Sequence, residues 1–287
     1  MNRRCLLSIL LLPLLIALQS CGHVTVLEEV NTQNDQTTTG QVVFSITPEP
    51  PAPISPLKEE RKRRAATLEE APLPPRPEPL AAEEEVSLVE SEPRDAYDSG
   101  IQQIISVAYG EGAGYGSDEA LELLIGSPFG GGPYMASTDV VSLGNGGVIT
   151  LGFPNYFPID GDGPDFIIFE NSFRILGTTE IFAEPAEVSV SQDGITFVRF
   201  PCSTTPPYAG CAGTNPAMAN PDLNTIDPRN PATAGGNAFD LSDLGLSYVQ
   251  LIRIRDLGLN RGGETAIDAG QAGFDLDAIS VIHGAYH

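Results

Sequence analysis

Glu187-Val188-Ser189-Val190-Ser191-Gln192-Asp193-Gly194-Ile195-Thr196-Phe197-Val198-Arg199-Phe200 is the stretch on which the fold turns. Apolar and polar residues alternate on both sides of Asp193-Gly194, which is the period of a strand with one face buried. Asp-Gly between two such runs is a strong short-range hairpin signal. The pattern recurs outward from this point. Upstream, Gly-Asn-Gly-Gly precedes Val148–Phe153, and Asp165–Glu170 (DFIIFE) follows. Downstream come Tyr248–Arg255 (YVQLIRIR) and Asp275–Ile282 (DLDAISVI). Many short strands separated by Gly, Pro and Asp turns predict a mainly β protein, an antiparallel β-sandwich. One short helix is expected at Asp118–Ile125, with Ser117 as N-cap and Gly126 just past its end.

The chain leading to this region has a different character. Arg3 and Arg4 precede an apolar run from Leu6 to Leu18, too short to span a bilayer and suited to a signal-peptide core. The run ends in Leu18-Gln19-Ser20-Cys21, which resembles the lipobox of bacterial lipoproteins. Residues 1–21 are therefore expected to be a signal ending at a lipidated Cys21, and two or more acyl chains would make a stable membrane anchor. By the same resemblance, Gly22 after the cysteine favours the outer membrane, on its periplasmic or cell-surface face. Residues 22–98 are rich in Glu and Pro, as in Pro72-Leu73-Pro74-Pro75-Arg76-Pro77-Glu78-Pro79, and are expected to be a disordered tether. A flexible coil of that length reaches roughly 50 Å. Within it, Gln41–Ile46 is expected to form a short strand, and Lys58–Arg64 (KEERKRR) is read as solvated charge.

The folded domain is expected at 99–287. It holds 22 acidic residues against six arginines and no lysine, a net charge of −16 within the chain's −23. That sign argues against nucleic acid and in favour of cations. With Cys5 in the signal and Cys21 lipidated, Cys202 and Cys211 remain, and an oxidising compartment implies a disulfide between them. Closing so short a loop stabilises a fold by roughly 2.5–3 kcal/mol in the chain-entropy model.

Four strings extend the pattern to a resemblance that spans about Gly110 to Gly284. VSVSQDGITFVRF, YVQLIRIRD and GFDLDAISVI resemble strands of galactose-binding-like, discoidin-like jelly rolls. DVVSLGNGGVITLGF, DGDGPDFIIFENSF, FAEPAEVSVSQDG and FDLDAI are similar to a family of bacterial, often lipoprotein, cell surface proteins without a well-defined activity. The resemblance implies a jelly-roll domain and a place in the envelope rather than a reaction.

Asp160-Gly161-Asp162-Gly163-Pro164-Asp165 puts three carboxylates on a tight loop, the hard oxygen donors that Ca2+ requires. The spacing is not that of an EF-hand. Asp275 and Asp277 lie on one face of a strand and are expected to contribute to such a site, with Glu170, Asn171 and Glu184 as further candidates. Catalytic constellations are thin. There is no GxSxG motif, and His283 in an apolar strand is read as structural. The glycine strings 110–114 and 130–132 lack a phosphate-loop context and are read as turns. The expected function is a Ca2+-stabilised module that binds a surface ligand such as a glycan, with Tyr109, Tyr115, Tyr134, Tyr156 and Tyr208 as candidate contacts. The alternatives are a glycosidase using paired carboxylates and a structural or adhesive component with an envelope-protein partner.

Overall fold

A computed structural model of the chain describes residues 24–25, 45–46, 55–70, 88–259 and 273–287. The signal, Cys21 and most of the expected tether lie outside the described residues. The chain divides into two compact units, 1–54 and 55–287. In the first, β1 (Val24–Thr25) pairs antiparallel with β2 (Ser45–Ile46), the latter at the end of the expected strand.

The second unit begins at Ser55, upstream of the expected Ser99, because the basic cluster is folded. Pro56–Glu70 forms helix α1, with Pro56 in its first turn, where the missing N–H costs nothing. Its contacts with the domain are ionic and aromatic. Arg61 is buried, donates from Nε to Glu122 O at 3.0 Å and pairs with Asp139, which also takes Lys58 at 3.0 Å. Arg61 stacks over Phe129, and Arg64 stacks over Tyr97 while pairing with Asp95.

The unit is mainly β, and its strands are antiparallel. In chain order they are β3 (Gln103–Ala108), β4 (Val141–Ser142), β5 (Val148–Gly152), β6 (Tyr156–Pro158), β7 (Phe166–Glu170) and β8 (Phe173–Arg174). Then come β9 (Ile181–Phe182), β10 (Ala186–Ser191), β11 (Val198–Arg199), β12 (Asn237–Phe239), β13 (Leu251–Asp256), β14 (Asp275–Val281) and β15 (Gly284–Tyr286). A five-stranded sheet runs β11-β10-β13-β5-β3, and a four-stranded sheet runs β12-β7-β14-β4. Their inner faces share one core. Ile149, Leu151, Val188, Val190, Ile252 and Ile254 come from the first sheet, and Phe166, Ile168, Leu276, Ile279 and Val281 from the second.

The two sheets differ outside. Ile167, Phe169 and Ala278, on the outer side of the four-stranded sheet, are buried beneath Ala217, Ala219 and Ala234 of the 213–236 loop. That explains the unbroken apolar run in β7, which is covered on both faces. Among the described residues the outer face of the five-stranded sheet has no such cover: Arg253, Arg255 and Glu187 alternate there with buried Ile252, Ile254 and Val188.

Two local expectations change. The β10–β11 pairing is present, Ser189 opposite Arg199, but the loop is longer than a two-residue turn. Asp193 accepts from the N–H groups of Ile195 and Thr196, an Asx turn that competes with the tight hairpin. The expected helix starts as a 3-10 turn, Ser117–Glu119, continuing into α2 (Ala120–Leu124). Ser117 does not cap it; its hydroxyl donates back to Gly114 O. The disulfide joins Cys202 and Cys211, as expected, with a Cα–Cα distance of 4.7 Å. Among the described residues no helix is long and apolar enough to cross a membrane.

Candidate functional site

Strand β7 carries a buried acid at each end: Asp165 just before its first residue and Glu170 as its last. At about 3.3 Å per residue they stand about 17 Å apart, so the acidic residues expected to act together fall into separate groups.

At the first end, Asp165 is fully buried yet richly bonded. Oδ1 accepts from Gly161 N at 2.8 Å and faces His283 Nδ1 at 2.9 Å, and Oδ2 accepts from Leu241 N at 2.7 Å. Burial raises its pKa, and these bonds oppose the rise. Gly161 is required here, because a Cβ would lie 2.4 Å from the His283 ring. His283 lies in the bend between β14 and β15 rather than in the expected strand, with its ring against Asp165. Carboxylate oxygens of Asp160, Asp165 and Asp240 lie within 4.8 Å of one another. Asp162 is not in this group: the turn through Gly163, at φ +85°, leaves it exposed. Its place is taken by Asp240, distant in sequence, which caps the 3-10 turn Leu241–Leu244 by accepting from Ser242 N at 2.9 Å. Asp-x-Ser at a turn start was the available signal, and it reads as a cap.

The other end gathers acids against one another. Glu170 is buried, and its Oε2 has no hydrogen-bond partner among the described residues. Burial, with Asp275 and Glu184 nearby, drives its pKa well above the ordinary carboxylate range. Burial and the charge of Asp275 push Glu184 up to about 8, although its Oε1 accepts from Gly273 N at 3.2 Å. Burial lifts Asp275 to about 6 against hydrogen bonds from Ser142 Oγ and from Asn171 Nδ2 at 3.4 Å. Glu184, Asp275, Asn171 and Ser142 open on a cleft of about 330 Å³ whose walls include Tyr115, Phe173 and Phe182. Phe173 and Phe182, neighbours across β8 and β9, stack with centroids 5.2 Å apart.

Asp277 belongs to neither group. Both its oxygens accept from Phe129 N, at 3.0 and 3.1 Å, and burial raises its pKa to about 7. A bulge between Leu276 and Ala278 accompanies this separation from the Asp160 loop. Of the candidate tyrosines, Tyr115 lines the cleft, Tyr109 and Tyr134 are exposed elsewhere, and Tyr156 and Tyr208 are buried.

The donor sets can be tested against a divalent cation. The Asp160–Asp165–Asp240 group offers three hard oxygens at cation-binding separation, and Asp160 is solvent-exposed, so an ion there would keep part of its water shell. That chemistry suits Ca2+ and Mg2+ alike. The Glu170–Glu184–Asp275 group is the poorer fit, because burial raises the pKa of all three, Glu184 to about 8, and a protonated carboxyl is a weak cation ligand. Compared with known proteins, the chain matches no family model and no curated protein.

Proposed function

We propose that this chain is a lipid-anchored envelope protein whose β-sandwich binds a polyhydroxylated ligand, a glycan, in the cleft beside Glu184 and Asp275. The observation that carries this reading is the cleft itself. Tyr115 and the stacked Phe173–Phe182 pair supply flat apolar surface, while Ser142, Asn171, Glu184 and Asp275 supply convergent hydrogen-bonding groups. A carboxyl kept neutral at pH 7, such as Glu184, both donates and accepts, which suits hydroxyl groups. A divalent cation, Ca2+ where it is plentiful, is held by Asp160, Asp165 and Asp240 and fastens the loops before β7 and after β12. Attachment rests on the Leu18-Gln19-Ser20-Cys21 signature and the envelope setting on the family resemblance. Cys21→Ser is expected to release the protein from membranes or leave its signal uncleaved, which fractionation reads.

The binding test is a screen of neutral and envelope glycans against the purified full chain, with and without Ca2+. Saturable binding that Phe182→Ala weakens by about tenfold or more supports the cleft, since stacked aromatic contacts carry energy of that order. Binding unaffected by Phe182→Ala and Tyr115→Ala, or absent from the whole screen, overturns it.

One observation favours a second reading, hydrolysis of a glycosidic bond. Two carboxyls on one cleft, about 8 for Glu184 and about 6 for Asp275, stand in opposite protonation states at neutral pH. Paired titratable groups pushed apart in this way are the pattern of a general acid and its partner base. Release of reducing ends from any bound glycan, abolished by Glu184→Gln, distinguishes the enzyme from the binding module.

A further inference from the structure

Among the described residues no loop covers the outer face of the five-stranded sheet, and that face carries a stripe of arginines in the acidic region 99–287. The strand register puts Arg199 opposite Ser189, Ser189 opposite Arg253, Arg253 opposite Thr150, and Thr150 opposite Ser106. These residues form one ladder across all five strands, about 19 Å from edge to edge at the spacing of hydrogen-bonded strands. Two residues along β13, Arg255 stands beside Glu187 and Val148 on the same face. Together they floor an open trough of about 530 Å³, walled on one side by Phe197.

Three of the six arginines between residues 99 and 287 therefore share one surface. Their partners make the concentration informative. Arg199 pairs with Glu187 at 2.6 Å. Arg253 is instead held by Thr150 Oγ1 at 3.2 Å and by the ring of Phe197, 3.5 Å from its guanidinium carbon. Among the described residues neither Arg253 nor Arg255 pairs with a carboxylate. Arg253 faces the open trough, and Arg255 stands opposite Glu187, the carboxylate that Arg199 already engages, so both keep N–H donors for a further anion. Stacking on Phe197 fixes the plane of the Arg253 guanidinium and leaves N–H donors for a bidentate partner.

We infer that this trough is a second binding surface, distinct from the Glu184–Asp275 cleft, and that it takes a carboxylate-bearing polysaccharide lying across the strands. Charge complementarity and shape both select that occupant. The basic stripe is narrow and the surrounding domain is strongly negative, so a duplex nucleic acid or a broad anionic membrane would meet repulsion on either side. A slim chain would touch the stripe alone. Between the arginines the exposed Ser106 adds a hydroxyl to the floor of the trough, which suits a polymer that carries hydroxyls beside its carboxylates. No residue is shared with the other cleft, so the two surfaces can be occupied independently.

The test uses the full chain with polygalacturonate as the probe, dextran as its neutral counterpart and polyglutamate as a polyanion without hydroxyls, followed by calorimetry in chelator at two salt concentrations. The expected result is saturable, salt-sensitive binding of polygalacturonate, none of dextran, and weaker binding of polyglutamate. Arg255→Gln and Arg199→Gln, both at exposed positions, should each weaken polygalacturonate by about tenfold, since charge-assisted hydrogen bonds carry that order of energy. Arg174→Gln makes the same charge change at an exposed site away from the stripe and should leave affinity unchanged. No binding of polygalacturonate, equal binding of polyglutamate, or equal losses in all three variants would overturn the inference.

Discussion

The two ends of β7 hold buried acids in opposite ways. Asp165 is met by two backbone N–H groups and an imidazole, whereas Glu170 has Ser172 on one side, Asp275 and Glu184 nearby, and an oxygen with no partner among the described residues. Burial disfavours charge at both places; what differs is the company. Converging donors oppose the rise that burial imposes on Asp165, whereas neighbouring acids add to the rise that burial imposes on Glu170 and Glu184. The first arrangement ties loops together, while the second sets acids with raised pKa values beside an aromatic cleft. A count of negative charge would treat the two ends as equivalent, and the surrounding atoms make them chemically distinct.

The largest effect expected from this contrast is on pH. Glu184 at about 8, Asp275 at about 6 and Asp277 at about 7 all lie above their unfolded values, so the native state holds protons that the unfolded chain has lost. Their stabilisation is complete below about pH 4 and is lost as pH rises through 6 to 8. Melting points should therefore fall from pH 5 to pH 8.5, and Glu184→Gln should flatten the decline. A rise in melting point over that interval would break the comparison.

Next in size is Asp165→Ala, which leaves two buried N–H donors and His283 without their acceptor. It should cost about 3 kcal/mol, a fall of roughly 6–12 °C in melting point for a domain of this size. A loss under about 1 kcal/mol would mean that the loops are held by something else. Calcium at one hundred times its dissociation constant should add about 2.7 kcal/mol. That increment should vanish in Asp160→Asn and Asp240→Asn, persist in Asp162→Asn, and exceed the effect of ionic-strength-matched sodium. If Asp162→Asn abolishes it while Asp240→Asn does not, the ligand set is the sequential one rather than the spatial one. The smallest effect is expected for Glu170→Gln. Because burial and its acidic neighbours already favour the protonated form of Glu170, this near-isosteric change should shift stability at pH 7 by less than about 1 kcal/mol.

Much of the fold was legible because its central strands are long enough to show a period. The alternation in Glu187–Ser191 and Tyr248–Arg255, and the apolar run of Asp165–Glu170, locate β10, β13 and β7. Two-residue strands such as β4 and β8 are too short to carry a period at all. Edge strand β3 escaped notice because Gln103–Ala108 leaves most of its residues exposed, without a sharp apolar and polar alternation. Helix α1 was read as solvated charge because it docks through Lys58, Arg61 and Arg64, onto Asp139, Asp95, Phe129 and Tyr97. No apolar stripe announces such a helix.

The site was legible in its composition more than in its geometry. Asp160 and Asp165 do come together, but their third partner is Asp240, brought in by the β12–β7 pairing. Asp275 does meet Asn171, and Glu170 and Glu184 lie nearby, although at the opposite end of β7 from the aspartate loop. Local spacing shows which carboxylates neighbour one another along the chain. Which end of a strand they occupy depends on register, and register is set by the whole sheet.

The most direct test of the contrast is a carbon-13 NMR titration of the side-chain carboxyls, followed residue by residue from pH 3 to pH 9. Glu184 should titrate near 8 and Asp275 near 6, with Glu170 raised well above the ordinary carboxylate range. Glu170 and Glu184 both titrating in the ordinary carboxylate range would show that the second end is hydrated and ionised, and would contradict the account.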